Sequence, residues 1–193
     1  GEVIASAGAP LECRYPQSGW VEQHPEKIWS SQQQTITEVL AKAGMTMADV
    51  TAVGITNQRE STIAWHRETG ESLGPAINWQ CRRTTDFCEE LKQEGFDKVL
   101  RRKTGLVTDP YFSGTKMRWI LQNNPEARKL ARKPAGILKL DGTYIEGQLR
   151  SLDDRKATIS SIIFPALHYL FVCCVVNVEC VAIYCNIHSL TII

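Results

Sequence analysis

The sequence lacks a net charge, a cysteine framework and the common phosphate-binding loops. Lys and Arg number 22 and Asp and Glu number 21, which leaves a net charge of +1. The chain as a whole is therefore not attracted to nucleic acid or to an acidic membrane. Its seven cysteines are odd in number and irregularly spaced, which argues against a secreted disulfide scaffold. No GxxxxGK[ST] or GxGxxG loop occurs, so no phosphate cradle is recognisable.

The amino-acid composition changes abruptly toward the C-terminal end. All but one of the charged residues precede Ala157, and Glu179 is the exception. The first ten residues, GEVIASAGAP, lack the basic and apolar regions of a secretory signal. The chain has no initiator Met, so we expect it to begin within a longer reading frame.

The order of predicted elements favours an α/β fold. Short strands are expected within residues 2–15, a buried strand at 50–56, and further strands at 62–66 and 76–79. An amphipathic helix is expected to begin at about Pro25 and to end at Gly44, with Ile28 and Trp29 among its apolar residues. More helices are expected at 84–93, 96–102, 113–123 and 125–132. They follow the strand at 76–79, so strands and helices alternate as in an α/β fold.

Polar residues follow the predicted buried strand. Asn57, Gln58, Arg59 and Glu60 come where that strand ends, and ligands of α/β sheets lie outside the carboxyl ends of strands. Arg offers a fork of donors and Glu two acceptor oxygens, which suits neighbouring hydroxyl groups of a polyol or sugar. The alternative is an ordinary solvated turn.

Two aromatic residues are further candidates. Trp79 ends a short strand and could stack on the apolar face of a small ligand, or it could be a core residue. Tyr111 could reach a hydroxyl with its phenol, although tyrosines are common at helix entries, and Ser113 is expected to cap the following helix. Cys81 and Cys88 are interpreted as small buried residues, because they lack the spacing of a metal site.

Four segments together resemble the glycerol kinases of the FGGY carbohydrate kinase family. They are SGWVEQHPEKIW (18–29), VGITNQREST (53–62), INWQCRRT (77–84) and KTGLVTDPYFSGTKMRWIL (103–121). The resemblance covers about residues 1–132 and implies an incomplete N-terminal domain of the ribonuclease-H-like (actin-like ATPase) fold. The combination of NQRE, WQCRR and DPYFSGTK favours the glycerol branch over xylulose or ribulose kinases.

The resemblance implies ATP-dependent phosphorylation of glycerol at a terminal hydroxyl, with ATP and Mg²⁺ as cofactors. By residue-wise match, Arg59, Glu60 and Tyr111 would bind glycerol hydroxyls and Trp79 would form an apolar wall. The family's DQGTT-type phosphate-binding hairpin and its catalytic Asp have no match in this sequence. No catalytic, cofactor-binding or metal-ligating residue is therefore assigned, and we expect the chain alone to be inactive. The resemblance also implies a cytoplasmic protein with a possible homo-oligomer.

Residues 133–193 match no part of the family that we recognise. A frameshift or a mis-spliced exon would produce such an apolar tail. A membrane anchor is a rival interpretation, because residues 157–178 contain no Asp, Glu, Lys or Arg and are long enough to cross a bilayer. A buried sheet segment is the third. Two further hypotheses remain for the whole chain: a non-catalytic binding module, and a kinase of a related polyol or sugar.

Overall fold

The structure is a computed structural model that describes residues 2–55, 58–66 and 69–131. It also describes the backbone of four short strands at 139–140, 143–144, 182–186 and 189–192. The chain divides into two compact units. The first contains residues 1–13, 23–58 and 173–193, and the second contains 14–22 and 59–172.

The described part of the chain contains five α-helices, and each matches a helix that the sequence predicts. They are α1 (Pro25–Ala43), α2 (Thr85–Gln93), α3 (Phe96–Thr104), α4 (Ser113–Asn123) and α5 (Pro125–Ala131). Pro25 suits the first turn of α1 because its missing N–H would have no partner there. Gly44 ends α1 in a left-handed conformation with φ 64°, which glycine adopts without a steric penalty.

The first unit contains a four-stranded mixed sheet. Its strands are β1 (Ala5–Ala7), β3 (Ala52–Ile55), β7 (Ala182–Asn186) and β8 (Ser189–Ile192), in the order β1-β8-β7-β3. β8 pairs antiparallel with β1 and β7, whereas β7 pairs parallel with β3. Helix α1 supplies Val39 and Leu40 to a buried cluster with Ala7.

One expectation about burial in the first unit is wrong, and one apolar residue of α1 lies outside the buried cluster. β3 forms as predicted, but it is not buried, because Val53 is 52% exposed. The strand lies at the edge of its sheet. Trp29 is 64% exposed, since the apolar cluster on α1 begins only at Ile36, two turns further along the helix.

The second unit combines short strand pairings with helices α2 to α5. β2 (Glu22–Gln23) begins at Glu22, the last residue of the first segment of this unit. β4 (Ala76–Ile77) lies further along the chain. The amide of Asn78 donates to the carbonyl of Val21 at 3.1 Å. The strand expected at 62–66 is not regular. It is reduced to two isolated bridges, Thr62 to Ile77 and Trp65 to Ser72.

The short strands β5 (Lys139–Leu140) and β6 (Thr143–Tyr144) form an antiparallel pair. The proposed boundary at residue 132 stays a prediction. The apolar stretch 157–178 lies outside the described residues. Within the described part, no helix is both long enough and apolar enough to cross a membrane.

Cys81 and Cys88 are fully buried, as the sequence predicts. Burial raises the pKa of the Cys88 thiol to about 11, against a smaller lowering by the Thr115 hydroxyl. Cys13, in contrast, is only partly buried. A higher pKa leaves less thiolate at a given pH, and the thiolate is the form that reacts with alkylating agents.

We therefore expect iodoacetamide at about pH 8 to modify Cys13 but not Cys88 in the folded chain, because Cys88 is buried and its raised pKa leaves little of the reactive thiolate. Peptide mapping by mass spectrometry distinguishes the two sites. The control is the same reaction in denaturant, where both thiols should react. Equal labelling of the two residues in the folded protein would contradict the buried placement of Cys88.

Candidate functional site

All four sequence-predicted site residues belong to the second unit. Arg59 and Glu60 form a turn, Trp79 follows β4, and Tyr111 precedes α4. Asn57, at the start of the same polar run, lies outside the described residues. The described structure joins Glu60 to the Tyr111 segment and Tyr111 to Trp79. Arg59 is exposed on the turn next to Glu60.

Glu60 is held by the first residue of α4. Both the amide and the hydroxyl of Ser113 donate to Oε2 of Glu60, at 2.8 and 2.6 Å. Ser113 was expected to be the helix cap, but the cap position is Phe112 and its side chain makes no capping bond. The Glu60 carboxylate occupies that role instead, since an acceptor and a negative charge are favourable at a helix N-terminus.

The backbone of Glu60 is unusual. Its φ is 65°, and it is the one non-glycine residue with a positive φ in the described part of the chain. Its carbonyl oxygen accepts a 2.9 Å hydrogen bond from Nζ of Lys116. The contacts with Ser113 and with Lys116 together determine where the carboxylate points. Within the described residues, Oε1 of Glu60 has no protein donor.

Lys116 is a fully buried lysine on α4. Besides the Glu60 carbonyl, its Nζ donates to the carbonyl of Tyr111 and lies 5.9 Å from the centre of the Tyr111 ring. One ammonium group thus connects the backbone of two candidate ligand residues that lie far apart in sequence.

Trp79 and Tyr111 form an aromatic pair. Their ring centres are 6.2 Å apart and the rings are inclined at 76°, an edge-to-face arrangement. Trp79 is 40% exposed, so it is not a core residue. Its amide donates to Oγ of Ser61 at 3.2 Å, which places the Trp79 segment beside the turn that carries Glu60.

Asp109 shapes the loop that carries Tyr111. Its Oδ1 accepts a 2.8 Å hydrogen bond from the Tyr111 amide and a 3.0 Å bond from Nη1 of Arg82. On the same loop, the Thr108 amide donates to Oδ1 of Asp97 at 2.8 Å. This bond holds the pKa of Asp97 below its usual range. The Tyr111 loop is therefore tied to α3 and to the segment after Trp79.

Arg83 holds the segment after Trp79 in place through contacts with two aromatic rings and one carboxylate. Its guanidinium stands 3.9 Å from the ring centre of Trp20 and 4.6 Å from that of Trp119. It also pairs with Glu22 at 2.7 Å, and its side chain is only 1% exposed. Such cation–π contacts are strong when desolvated, so Trp79 extends from a rigid base.

Sequence reasoning missed Asp109, Ser113 and Lys116 as parts of this arrangement. Lys116 had a detectable signal, because it lies on the same helical face as the apolar residues Met117 and Ile120 and an unpaired charge is not expected there. The contacts of Ser113 and Lys116 with Glu60 had no signal in the sequence, because they join residues more than fifty positions apart.

The described residues contain no cluster of three or more His, Cys, Asp or Glu that could hold a metal ion. The free Oε1 of Glu60 and the exposed Arg59 beside it offer an acceptor and donors, which suits the binding of hydroxyl groups.

The chain is similar to bacterial glycerol kinases. It is 51% identical over 133 residues to the glycerol kinase of Thermoanaerobacter pseudethanolicus, a match covering 69% of this chain and 27% of that protein. It is 55% identical over 119 residues to the glycerol kinase of Pasteurella multocida, covering 62% and 24%. The chain therefore spans about a quarter of the length of these curated relatives.

Solved structures show the same fold. The structure of Plasmodium falciparum glycerol kinase with ADP aligns with a TM-score of 0.55 and 30% identity, over 64% of this chain and 25% of that one. A ligand-bound xylulose kinase from Lactobacillus acidophilus aligns with a TM-score of 0.54 over 61% and 23%, and at 22% identity it supports the fold alone.

A sequence profile provides the broadest match. Residues 1–148 match the FGGY family of carbohydrate kinases, N-terminal domain, which is more than half of the chain. The resemblance drawn from the four motif segments is thereby confirmed. The actin-like ATPase fold of the N-terminal domain is confirmed with it, and the chain belongs to the FGGY family of carbohydrate kinases.

Proposed function

We propose that this chain forms the glycerol-binding side of an ATP-dependent glycerol kinase. FGGY kinases are ATP-dependent phosphotransferases. The relatives that share about half of the matched residues with this chain are glycerol kinases. The observation that carries the proposal is the Glu60 carboxylate, held on Oε2 by Ser113 next to an exposed Arg59 and connected through Lys116 to Tyr111.

The proposed roles follow from the chemistry of each side chain. Oε1 of Glu60 accepts a hydrogen bond from one hydroxyl of glycerol, while Arg59 donates to a neighbouring oxygen. The phenol of Tyr111 bonds a third position, and the partly exposed ring of Trp79 covers the carbon backbone. These residues bind and orient the acceptor alcohol, and such positioning accounts for much of phosphoryl-transfer catalysis.

We propose Mg²⁺ as the cation that accompanies ATP, a cytoplasmic location, and homo-oligomerisation through the kinase domain, all supported by the family resemblance. The net charge of +1 supports a protein without a nucleic-acid partner. Membrane association of the apolar tail stays the less favoured alternative.

Glycerol binding is the first test. Titration of the ¹⁵N-labelled chain should shift the Tyr111 amide and the Trp79 indole, while the indole of Trp29, 64% exposed in the other unit, reports any general cosolvent effect. Arg59→Ala should raise the glycerol Kd by about 10- to 100-fold, the equivalent of one hydrogen bond to a charged group.

Arg102→Ala is the matched control, because Arg102 is also exposed in the second unit but lies on α3. Equal effects of the two substitutions would remove Arg59 from the site. Tighter binding of xylulose or ribulose than of glycerol would move the assignment to another branch of the family.

Turnover is the second test. Because the chain spans about a quarter of its relatives, we expect these 193 residues alone to bind glycerol without phosphorylating it. The purified chain is incubated with glycerol, ATP and Mg²⁺, and glycerol 3-phosphate is measured by a coupled assay. Product above the level of a heat-denatured sample would show that these residues suffice for catalysis.

A further inference from the structure

We propose that Lys116 is a positioning residue of the polyol site, which sets the placement of Glu60 and Tyr111 without touching the ligand. This inference rests on the proposed function, since it concerns the same site. It starts from the burial of Lys116, which is 0% exposed. Lysine is almost never fully buried unless its ammonium group is paired.

The partners of the ammonium group are the reason for assigning this role. Nζ donates to the backbone carbonyls of Glu60, at 2.9 Å, and of Tyr111. A lysine that served only to fill the core would be replaceable by an apolar side chain. This one instead satisfies the backbone acceptors of two residues whose side chains are candidate ligands.

The conformation of Glu60 gives the second argument. A φ of 65° is unfavourable for a residue with a side chain, and such conformations persist where surrounding contacts hold them. Lys116 holds the carbonyl of Glu60, and Ser113 holds its carboxylate. Both contacts come from the first turn of α4, so the helix orients Glu60 at both ends of the residue.

The Tyr111 side is held in a similar way. Its amide is bonded to Asp109 and its carbonyl to Lys116. These two bonds fix the backbone of Tyr111, and its ring lies in edge-to-face contact with Trp79. Loss of the Lys116 ammonium would free the carbonyls of Glu60 and Tyr111 together, and the spacing of the two ligand residues would then no longer be defined.

The test compares Lys116→Met, which keeps the length of the side chain and removes the donors, with two controls. Lys98→Met removes an exposed lysine of α3. Val39→Ala lowers stability by creating a cavity in the buried cluster on α1. We expect the glycerol Kd of folded Lys116→Met to rise by about tenfold or more, as for one lost charged hydrogen bond, and that of both controls to stay unchanged.

Binding is measured at a temperature where thermal melts show each variant to be folded. A role limited to holding the fold would lower Tm in Lys116→Met and in Val39→Ala alike, with the glycerol Kd unchanged in both. That result overturns the proposal. If Lys116→Met does not fold, Lys116→Arg is used instead, because it keeps the buried cation but changes the geometry of its donors. It should also weaken glycerol binding, and an unchanged Kd overturns the proposal.

A ligand-free measurement separates this inference from the proposed function. The amide of Ser113, bonded to the Glu60 carboxylate, should shift in the ¹⁵N spectrum of Lys116→Met and not in that of Val39→Ala. If the shift occurs but the wild-type chain binds no glycerol, the proposed function fails and the positioning of Glu60 by Lys116 stands. If the Ser113 amide does not move, the positioning role fails whatever the chain binds.

Discussion

Glu60 must hold a left-handed backbone conformation while its carboxylate faces the first turn of α4, and the rest of the candidate site depends on this constraint. A left-handed residue with a side chain costs about 1–2 kcal/mol. Hydrogen bonds that involve a charged group contribute about 1.5–3 kcal/mol each, and Glu60 takes part in three of them, from Ser113 and Lys116. The contacts are sufficient to offset the strain.

The same contacts explain why the start of α4 organises the site. Tyr111 precedes the helix, Ser113 begins it, and Lys116 lies three residues later, in the same first turn. A helix is a rigid spacer, so a displacement at one of these residues moves the others. The next turn carries Trp119, whose ring contacts the guanidinium of Arg83. The segment after Trp79 is thereby attached to the same helix as the Tyr111 loop.

How well the sequence predicts a feature of this structure depends on how far apart along the chain the residues lie that determine it. Helices α1 to α5 are local features with apolar periodicity and end signals, and the sequence predicts them all. Burial of β3 and a regular strand at 62–66 are wrong predictions, because both depend on which neighbour covers or pairs with the strand. The candidate ligands were found from residue type and motif.

The contacts that hold those ligands could not be found in the same way. Ser113 was expected to cap its own helix, and its hydroxyl bonds to Glu60 instead. A serine at a helix start has two competing acceptors, the local backbone and a distant carboxylate, and only the folded chain determines which one it meets. Lys116 is the intermediate case. Its place on an apolar helix face indicates that its ammonium group has a partner, but the sequence does not identify that partner.

The division of the site into a polar and an aromatic side indicates how it would select a ligand. A ligand without a hydroxyl opposite Glu60 would leave a desolvated carboxylate oxygen unpaired, and such a loss discriminates far more strongly than a missing methylene group. Under the proposed function, the polar side would select for hydroxyl groups but not for chain length. Selection for length would fall to the aromatic side, where the rings of Trp79 and Tyr111 lie edge to face with their centres 6.2 Å apart. Because Asp109 and Lys116 bond the backbone of Tyr111 on both sides, the backbone that carries this ring would not move easily to admit a longer polyol.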